Sequence, residues 1–360
     1  MSTSKVTLST LLGSYANTLA IKEGLIPSDL VDFNFTDAPV PNRVFKRVVR
    51  DLEFDLAELA LVTALQAKAY KKPLIMLPAV VGAGRYQHHC LVHNRERGPL
   101  GVAQLKGKKI GIRAHAQTTV TWVRGILSNE YGVNLRDIQW VTFEHGHLAE
   151  FPDPKGFIRA KPEQKMVDML LSGELDAAII GTDLPDDERL QAVLPDPHEA
   201  AEAWGERHGM VPINHMMVIK ESFCKESPHL VHEVYRLLQE SKAVADAKHQ
   251  SKKDLTPFGI EKNKKALELL ILYSYQQGLI PELYKVDDLF WDHTLSLIFE
   301  SPGRFNLTSM LESNSGVEVQ LSSYPVTQLN PHAHSMDELW IASIFIHRSS
   351  ILLTPQQHFT

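Results

Sequence analysis

A two-lobed α/β protein with a ligand cleft between its lobes is the fold this sequence predicts, on three observations. Strand-like and helix-like segments alternate from the first residues onward, the order that builds a parallel sheet covered by helices. The alternation is punctuated by Gly98-Pro99 and then begins again, as a second α/β unit would. A late strand-like segment, 212–219, leads back toward the first unit, so two crossings of the chain would join two lobes.

The elements follow in order. Alternating apolar residues predict a strand over 6–11, and a helical stretch runs through 15–23. A strand at 31–35 and a helix over 42–51 come next, then a short strand, Phe54-Asp55-Leu56-Ala57-Glu58, that ends in an acid and opens another helix. Strands at 74–78 and 90–94 close the first set. The second set reads as strand 109–112, helix 118–130, strand 138–143, helix 163–171 and strand 176–180, with Gly173 as the helix stop. Amphipathic helices at 228–247 and 261–277 follow the returning strand, the last ending at Gly278 with Pro281 beyond. Residues 1–95 and 212–292 are therefore expected to form one discontinuous lobe and 96–211 the other. Residues 293–360 differ in kind: these 68 residues hold no Lys and 7 charged residues, against 73 in the first 292, and they match neither lobe. They are expected to be an appendage of separate character.

Composition excludes several classes. Of 360 residues, 44% are hydrophobic and 22% charged, which is globular. With 37 Lys and Arg against 43 Asp and Glu, the net charge of −6 offers a polyanion nothing, so no nucleic-acid partner is expected. No apolar run reaches the ~20 residues of a membrane helix, so no membrane partner is expected either. Cys90 and Cys224, far apart and without paired ligand spacing, read as free thiols of a reducing compartment. The start, Met1-Ser2-Thr3-Ser4-Lys5, passes straight into the first strand and leaves no room for a secretory leader, which points to a cytoplasmic location. Apolar stripes permit a homo-oligomer.

Signatures for nucleotide-binding loops, serine hydrolases and zinc proteases are missing. What remains is a set of polar residues near the carboxyl ends of predicted strands, where α/β sheets bind ligands. Arg85, in Gly84-Arg85-Tyr86-Gln87-His88, could fork a carboxylate, with His88 beside it to hold or deliver a proton. Thr118 and Thr119 open a helix whose N-terminus suits an anion, and Trp122 lies one turn on. His145 and His147 would share one side of a strand end, as a metal pair requires, with Glu150 or Asp153 as a third ligand. His215 is a lone imidazole on the returning strand, and Glu58 is a strand-end carboxylate that serves equally as a cap neighbour, a base or an acceptor of hydroxyls. The spacing His332-x-His334-x-x-x-Glu338 resembles a cupin metal motif but lacks its later His.

Several segments in register resemble the 4,5-dihydroxyphthalate decarboxylases. They include Arg50-Asp51-Leu52-Glu53-Phe54-Asp55-Leu56-Ala57-Glu58-Leu59, Arg85-Tyr86-Gln87-His88, Leu105-Lys106-Gly107-Lys108-Lys109-Ile110-Gly111 and Thr118-x-x-x-Trp122-Val123-Arg124-Gly125. Glu130-Tyr131-Gly132-Val133, Gly173-Glu174-Leu175-Asp176-Ala177, Pro212-Ile213-Asn214-His215 and Tyr273-Ser274-Tyr275-Gln276-Gln277-Gly278-Leu279 continue the likeness, which spans about residues 5 to 292. Two departures stand out: Gln87 where a second Arg is expected, and Ala60 and Val62 where Ser is expected.

The resemblance implies the periplasmic-binding-protein-like (type II) bilobal fold and loss of one carboxylate from an aromatic dicarboxylate as carbon dioxide. Each ring carboxylate of 4,5-dihydroxyphthalate is para to a hydroxyl, so ring protonation can expel carbon dioxide with no redox cofactor. On this reading His215 is the acid with His88 as the alternative, Glu58 partners the hydroxyls, and Arg85, Thr118, Thr119 and Trp122 hold the substrate. No cofactor is expected; a divalent metal on the catechol oxygens is chemically allowed but no strong ligand set supports it. The rival reading is a binding protein that delivers an aromatic acid to a transporter without chemistry.

Overall fold

The structure, a computed structural model, describes residues 5–248 and 253–291. Two strand-like segments of the tail sequence, 317–321 and 340–346, and the His332, His334 and Glu338 spacing lie outside the described residues.

The strands are β1 Val6–Leu11, β2 Val31–Phe35, β3 Leu56–Ala60, β4 Leu74–Val80, β5 Leu91–Asn94, β6 Lys109–Ile112, β7 Gln139–Thr142, β8 Ile158–Arg159, β9 Ala177–Ile179, β10 Leu190–Ala192 and β11 His215–Lys220. The helices are α1 Leu19–Lys22, α2 Phe45–Arg50, α3 Leu61–Ala69, α4 Thr118–Tyr131, α5 Met166–Ser172, α6 Pro197–His208, α7 Glu221–Glu226, α8 Pro228–Lys248 and α9 Ile260–Gln276. Two sheets form. The first has the order β2-β1-β3-β11-β4, the second β10-β5-β9-β6-β7-β8. In the first, β1 runs parallel to β2 and β3 while β11 is wedged antiparallel between β3 and β4. In the second, β6, β7, β8 and β9 are parallel, and β5 runs antiparallel between β9 and β10.

Two sheets of this topology joined by two crossings are the bilobal periplasmic-binding-protein-like architecture the sequence predicts. Their partition of the chain differs from the expected boundary at 95 in one respect: 91–94, expected to close the first lobe, pairs with β9 and β10 in the second sheet. The first crossing therefore occupies 81–90, and the second runs through 209–214 into β11. The crossings lie side by side, because the Arg85 N–H donates to the Pro212 carbonyl at 3.0 Å.

Covered sheet faces explain the apolar strands. In β3 all five residues are buried, as a central strand with helices on both faces requires. One face of the first sheet packs on α2, α3 and α9 through Phe45, Leu61, Leu65, Leu267 and Leu270. The other face packs on α1 and α8 through Ile21, Val231, Val234 and Leu238. The second sheet is covered by α4 through Val120, Val123 and Leu127, and by α5 through Met169 and Leu170. Cys90 and Cys224 are buried free thiols. No helix among the described residues is long and apolar enough to cross a membrane.

Candidate active site

The register of the first sheet creates the central pair. His215 opens β11 opposite Ala60, and Glu58 of β3 sits opposite Met217, so the two side chains are diagonal neighbours on one face. The His215 Nδ1 lies 2.7 Å from Oε1 of Glu58. Glu58 was expected at a strand end; the strand instead runs on to Ala60, which leaves this carboxylate inside the sheet with 0% exposure. A buried carboxylate needs partners, and the loop after β1 supplies them. Tyr15 donates its hydroxyl to Oε1 at 2.7 Å and the Gly13 N–H donates to Oε2 at 2.9 Å. Gly13 is required here, since a Cβ would fall 2.5 Å from the Tyr15 ring. Burial first, then the adjacent Glu58 charge, raises the Tyr15 phenol far above its ordinary value, so it stays a donor.

The expectation that Glu58 touches substrate hydroxyls is thereby corrected. Three donors occupy its oxygens and it has no exposed surface. Its role is to fix the ring of His215 and its tautomer, with Nδ1–H donated to the carboxylate and Nε2 engaged by no described residue. His215 is half-buried, with its ring edge-on to Phe45 at 5.3 Å.

His147 reaches the same Phe45 ring from the second sheet, at 5.6 Å. The metal pairing expected of His145 and His147 does not form. Both lie in the loop beyond β7; His145 is beside Arg159, and His147 Nδ1 is 2.7 Å from Thr63 Oγ1. Among the described residues no group of three or more His, Cys, Asp or Glu could hold a metal ion. Arg50 holds the loop by donating to the Gly146 and His147 carbonyls at 2.9 and 2.6 Å. Burial, with Arg113, Lys46, His215 and Arg50 around it, lowers His147 to about 3. In a chain of net charge −6 these neighbouring cations make this one place suited to an anion.

Arg85 stands on the first crossing. Its guanidinium makes no hydrogen bond or ion pair among the described residues, and it lies against Gly181, just past β9. A Cβ at Gly181 would be 2.9 Å from Arg85 Nη2 and 3.6 Å from Thr119 Oγ1, so the small residue lets the two polar groups flank one spot. Thr118 and Thr119 do open α4, and no side chain caps that helix. The Thr118 Oγ1 accepts from the Val62 N–H at 3.2 Å, which sets the N-termini of α3 and α4 against each other.

Two expected site residues are elsewhere. Trp122 is fully buried, donates its indole N–H to the Ile213 carbonyl at 3.0 Å and packs against Trp204 and Tyr273. It pins α4 to the second crossing. His88 is 2% exposed, between Tyr86 and Trp204, with no described contact to Glu58 or His215. Burial lowers it to about 4, which leaves it uncharged and a poor proton donor. Gln87, the departure beside it, is buried and donates to the Arg85 carbonyl at 3.0 Å, supporting the crossing.

Comparison with known proteins bears on this arrangement. A 4,5-dihydroxyphthalate decarboxylase of Comamonas testosteroni is 30% identical over 257 residues, covering 67% of this chain and 76% of the relative. The chain belongs to the 4,5-dihydroxyphthalate decarboxylase family. A second relative of that name, from Pseudomonas putida, is 30% identical over 215 residues, 56% of this chain and 81% of its own. No family model matches the chain. Among solved structures, the Escherichia coli periplasmic aliphatic sulphonate binding protein SsuA has a TM-score of 0.49 at 13% identity, over 81% of this chain and 100% of its own.

Sequence reading passed over Gly13, Tyr15, Phe45, Thr63 and Gly181 in this candidate site. Gly13 and Tyr15 follow the carboxyl end of β1, so the rule that pointed to the other strand ends would have found them. Phe45 and Thr63 look like ordinary core and helix residues, and only the folded chain brings them to the imidazoles.

Proposed function

We propose that this protein removes carbon dioxide from 4,5-dihydroxyphthalate without oxidation and releases 3,4-dihydroxybenzoate. His215 is the acid. Held by Glu58 through Nδ1, it presents Nε2 to the ring carbon that bears the departing carboxylate. Glu58, backed by Tyr15 and Gly13, positions that imidazole. Arg85, with Thr119 and the amide ends of α3 and α4, receives the carboxylate that stays. Both lobes thus contribute to a ligand between them.

The observation that carries this reading is the 2.7 Å contact of the half-buried His215 with the fully buried Glu58. An imidazole with one nitrogen fixed and the other uncommitted is what proton delivery needs. Simple ligand capture needs no such pair, although a cleft of this fold would also serve a binding protein.

Incubation of the pure protein with 4,5-dihydroxyphthalate, with carbon dioxide and 3,4-dihydroxybenzoate both quantified, is the test. Release of both is expected, and the variant His215→Asn should be slower by ~10²-fold or more. Saturable binding without release would replace the proposal by the transport-type binder, and wild-type rates in His215→Asn would remove His215 as the acid.

A further inference from the structure

Expulsion of carbon dioxide by ring protonation also needs a partner for the phenolic hydroxyl. Glu58, the residue expected in that role, is buried and fully occupied. We propose that His147, delivered from the second sheet, is a second catalytic imidazole that accepts the proton of the hydroxyl para to the departing carboxylate. This inference rests on the proposed decarboxylase reading.

The geometry is that of two imidazoles served by one aromatic ring. Phe45 has His215 at one ring edge contact and His147 at another, 5.3 and 5.6 Å between centroids, with both pairs near perpendicular. Each imidazole has Nδ1 tied down, His215 to Glu58 and His147 to Thr63, both at 2.7 Å. No described residue engages the Nε2 of either, and neither Nε2 is among the buried polar atoms left without a partner. Thr63 is in the first turn of α3, and the Arg50 clamp on the Gly146 and His147 carbonyls fixes the loop from the other side. His147 is thus as firmly positioned as His215, from the opposite lobe.

The chemistry balances. In the tautomer with Nδ1–H donated to Thr63, the Nε2 lone pair of His147 takes the hydroxyl proton as the O–H bond breaks. The electron pair moves through the ring to the para carbon, which forms a C–H bond with the proton on His215 Nε2. The bond to the carboxylate then breaks, carbon dioxide leaves, and the pair restores the aromatic ring. His147 returns its proton to the phenolate, and water reprotonates His215. The groups that face His147 are Lys46 and Arg50 of α2, Arg113 at the end of β6, Thr63 of α3 and His215 of β11. Without substrate, burial first and then the three permanent cations keep the ring neutral, with its lone pair available. A bound dianion offsets those cations and raises the basicity of the ring when the proton must move.

The test compares the wild-type protein with His147→Gln and Thr63→Val. Turnover of 4,5-dihydroxyphthalate is measured together with the ultraviolet difference spectrum and the affinity of bound 3,4-dihydroxybenzoate. Wild-type protein should shift the bound catechol toward the phenolate spectrum at neutral pH. His147→Gln should lose that shift and ~10²-fold in turnover, with affinity changed by less than about fivefold. Thr63→Val, which keeps the imidazole but releases its Nδ1, should lose about tenfold in turnover and part of the shift. His147→Gln that retains the spectral shift, or retains at least a third of the turnover, overturns the inference. Should His147→Gln fail to fold, a Thr63→Val protein with wild-type rate and spectrum overturns it equally. Wild-type turnover with an indifferent His147 sinks this inference alone, whereas a wild-type protein that releases no carbon dioxide sinks the proposed function and this inference with it.

Discussion

Glu58 with His215, on neighbouring strands of the first sheet, and Arg124 of α4 with His115 of the loop after β6, both set a buried charge beside an imidazole, yet they are built in opposite ways. Glu58 has its donors complete, and the ring it holds is half-buried with Nε2 uncommitted. Arg124 is 2% exposed and has no ion-pair partner among the described residues; it donates to His115 Nδ1 at 2.9 Å and to the His115 carbonyl at 3.0 Å. Its Nε is unpartnered, as is the Nε2 of His115, a ring stacked on Phe151 and edge-on to Phe157. Burial lowers Arg124 to about 9 and, with the guanidinium beside it, His115 to about 2. On the proposed reading the difference separates machinery from scaffold: a charge–imidazole pair with its far nitrogen open is fit to move a proton, and one with that nitrogen enclosed locks a loop. The locked loop, 113–117, leads into α4, whose first turn sets Thr119 near Arg85 across Gly181.

Glu58→Gln is the largest way to break this contrast. The amide still fills the site but can donate as well as accept, so the His215 tautomer is no longer imposed. Turnover should fall by ~10²-fold or more, with substrate affinity changed far less. Steady-state kinetics of carbon dioxide release check this. Equal loss in kcat/KM and kcat is the expected pattern, and a change confined to KM would mean that Glu58 acts in binding.

Arg124→Met asks the converse question of the second pair. It removes a costly buried charge but strips His115 Nδ1 and its carbonyl of their donor, so stability should fall by about 1–3 kcal/mol. Turnover under folding conditions should stay within about tenfold of wild type, because the guanidinium reaches no reacting atom. Urea unfolding and carbon dioxide release, measured on one preparation, check both halves. A loss of turnover as deep as that of Glu58→Gln, with stability unchanged, would make the two pairs alike.

How much of this was legible in the sequence follows from what each feature depends on. Strands 6–11, 31–35 and 109–112 were readable to the residue, because their apolar alternation is local and their burial is imposed by the sheet. The helix Pro197–His208 was missed: its first turn follows Asp196 at φ 45° and its composition is polar, so it lacks the apolar repeat of a core helix. The extent of β3 decided the fate of Glu58. Read as ending at 58, the strand offers a carboxylate to ligand; ending at Ala60, it buries one. His215 was legible as a polar residue on an apolar returning strand, but its partner depends on the register of β11 against β3, which no local pattern encodes. Trp122 misled for the same reason, since only tertiary packing distinguishes an aromatic ring facing a cleft from one pinning α4 to a crossing.

His88 offers the smallest and most graded test of what encloses an imidazole. It has no charged partner within bonding reach, its Nδ1 is among the buried atoms without a partner, and it is wedged between Tyr86 and Trp204. Its folded value of about 4 lies below the ordinary 6.5 of a histidine, so between those limits the unfolded chain binds the proton that the folded chain refuses. Stability should therefore be fully present above pH 6.5 and decline as the pH falls toward 4, by up to about 1.4 kcal/mol per pH unit from this group. His88→Gln should flatten that part of the profile relative to wild type, read from urea midpoints at pH 7, 5.5 and 4.5, while its turnover stays close to wild type. His147 and His115 contribute slopes of the same sign, so the difference between the two proteins, rather than either curve, isolates His88. If His88→Gln leaves the slope unchanged but lowers turnover as deeply as Glu58→Gln does, the buried imidazole belongs with the machinery, and enclosure alone no longer tells the two kinds of pair apart.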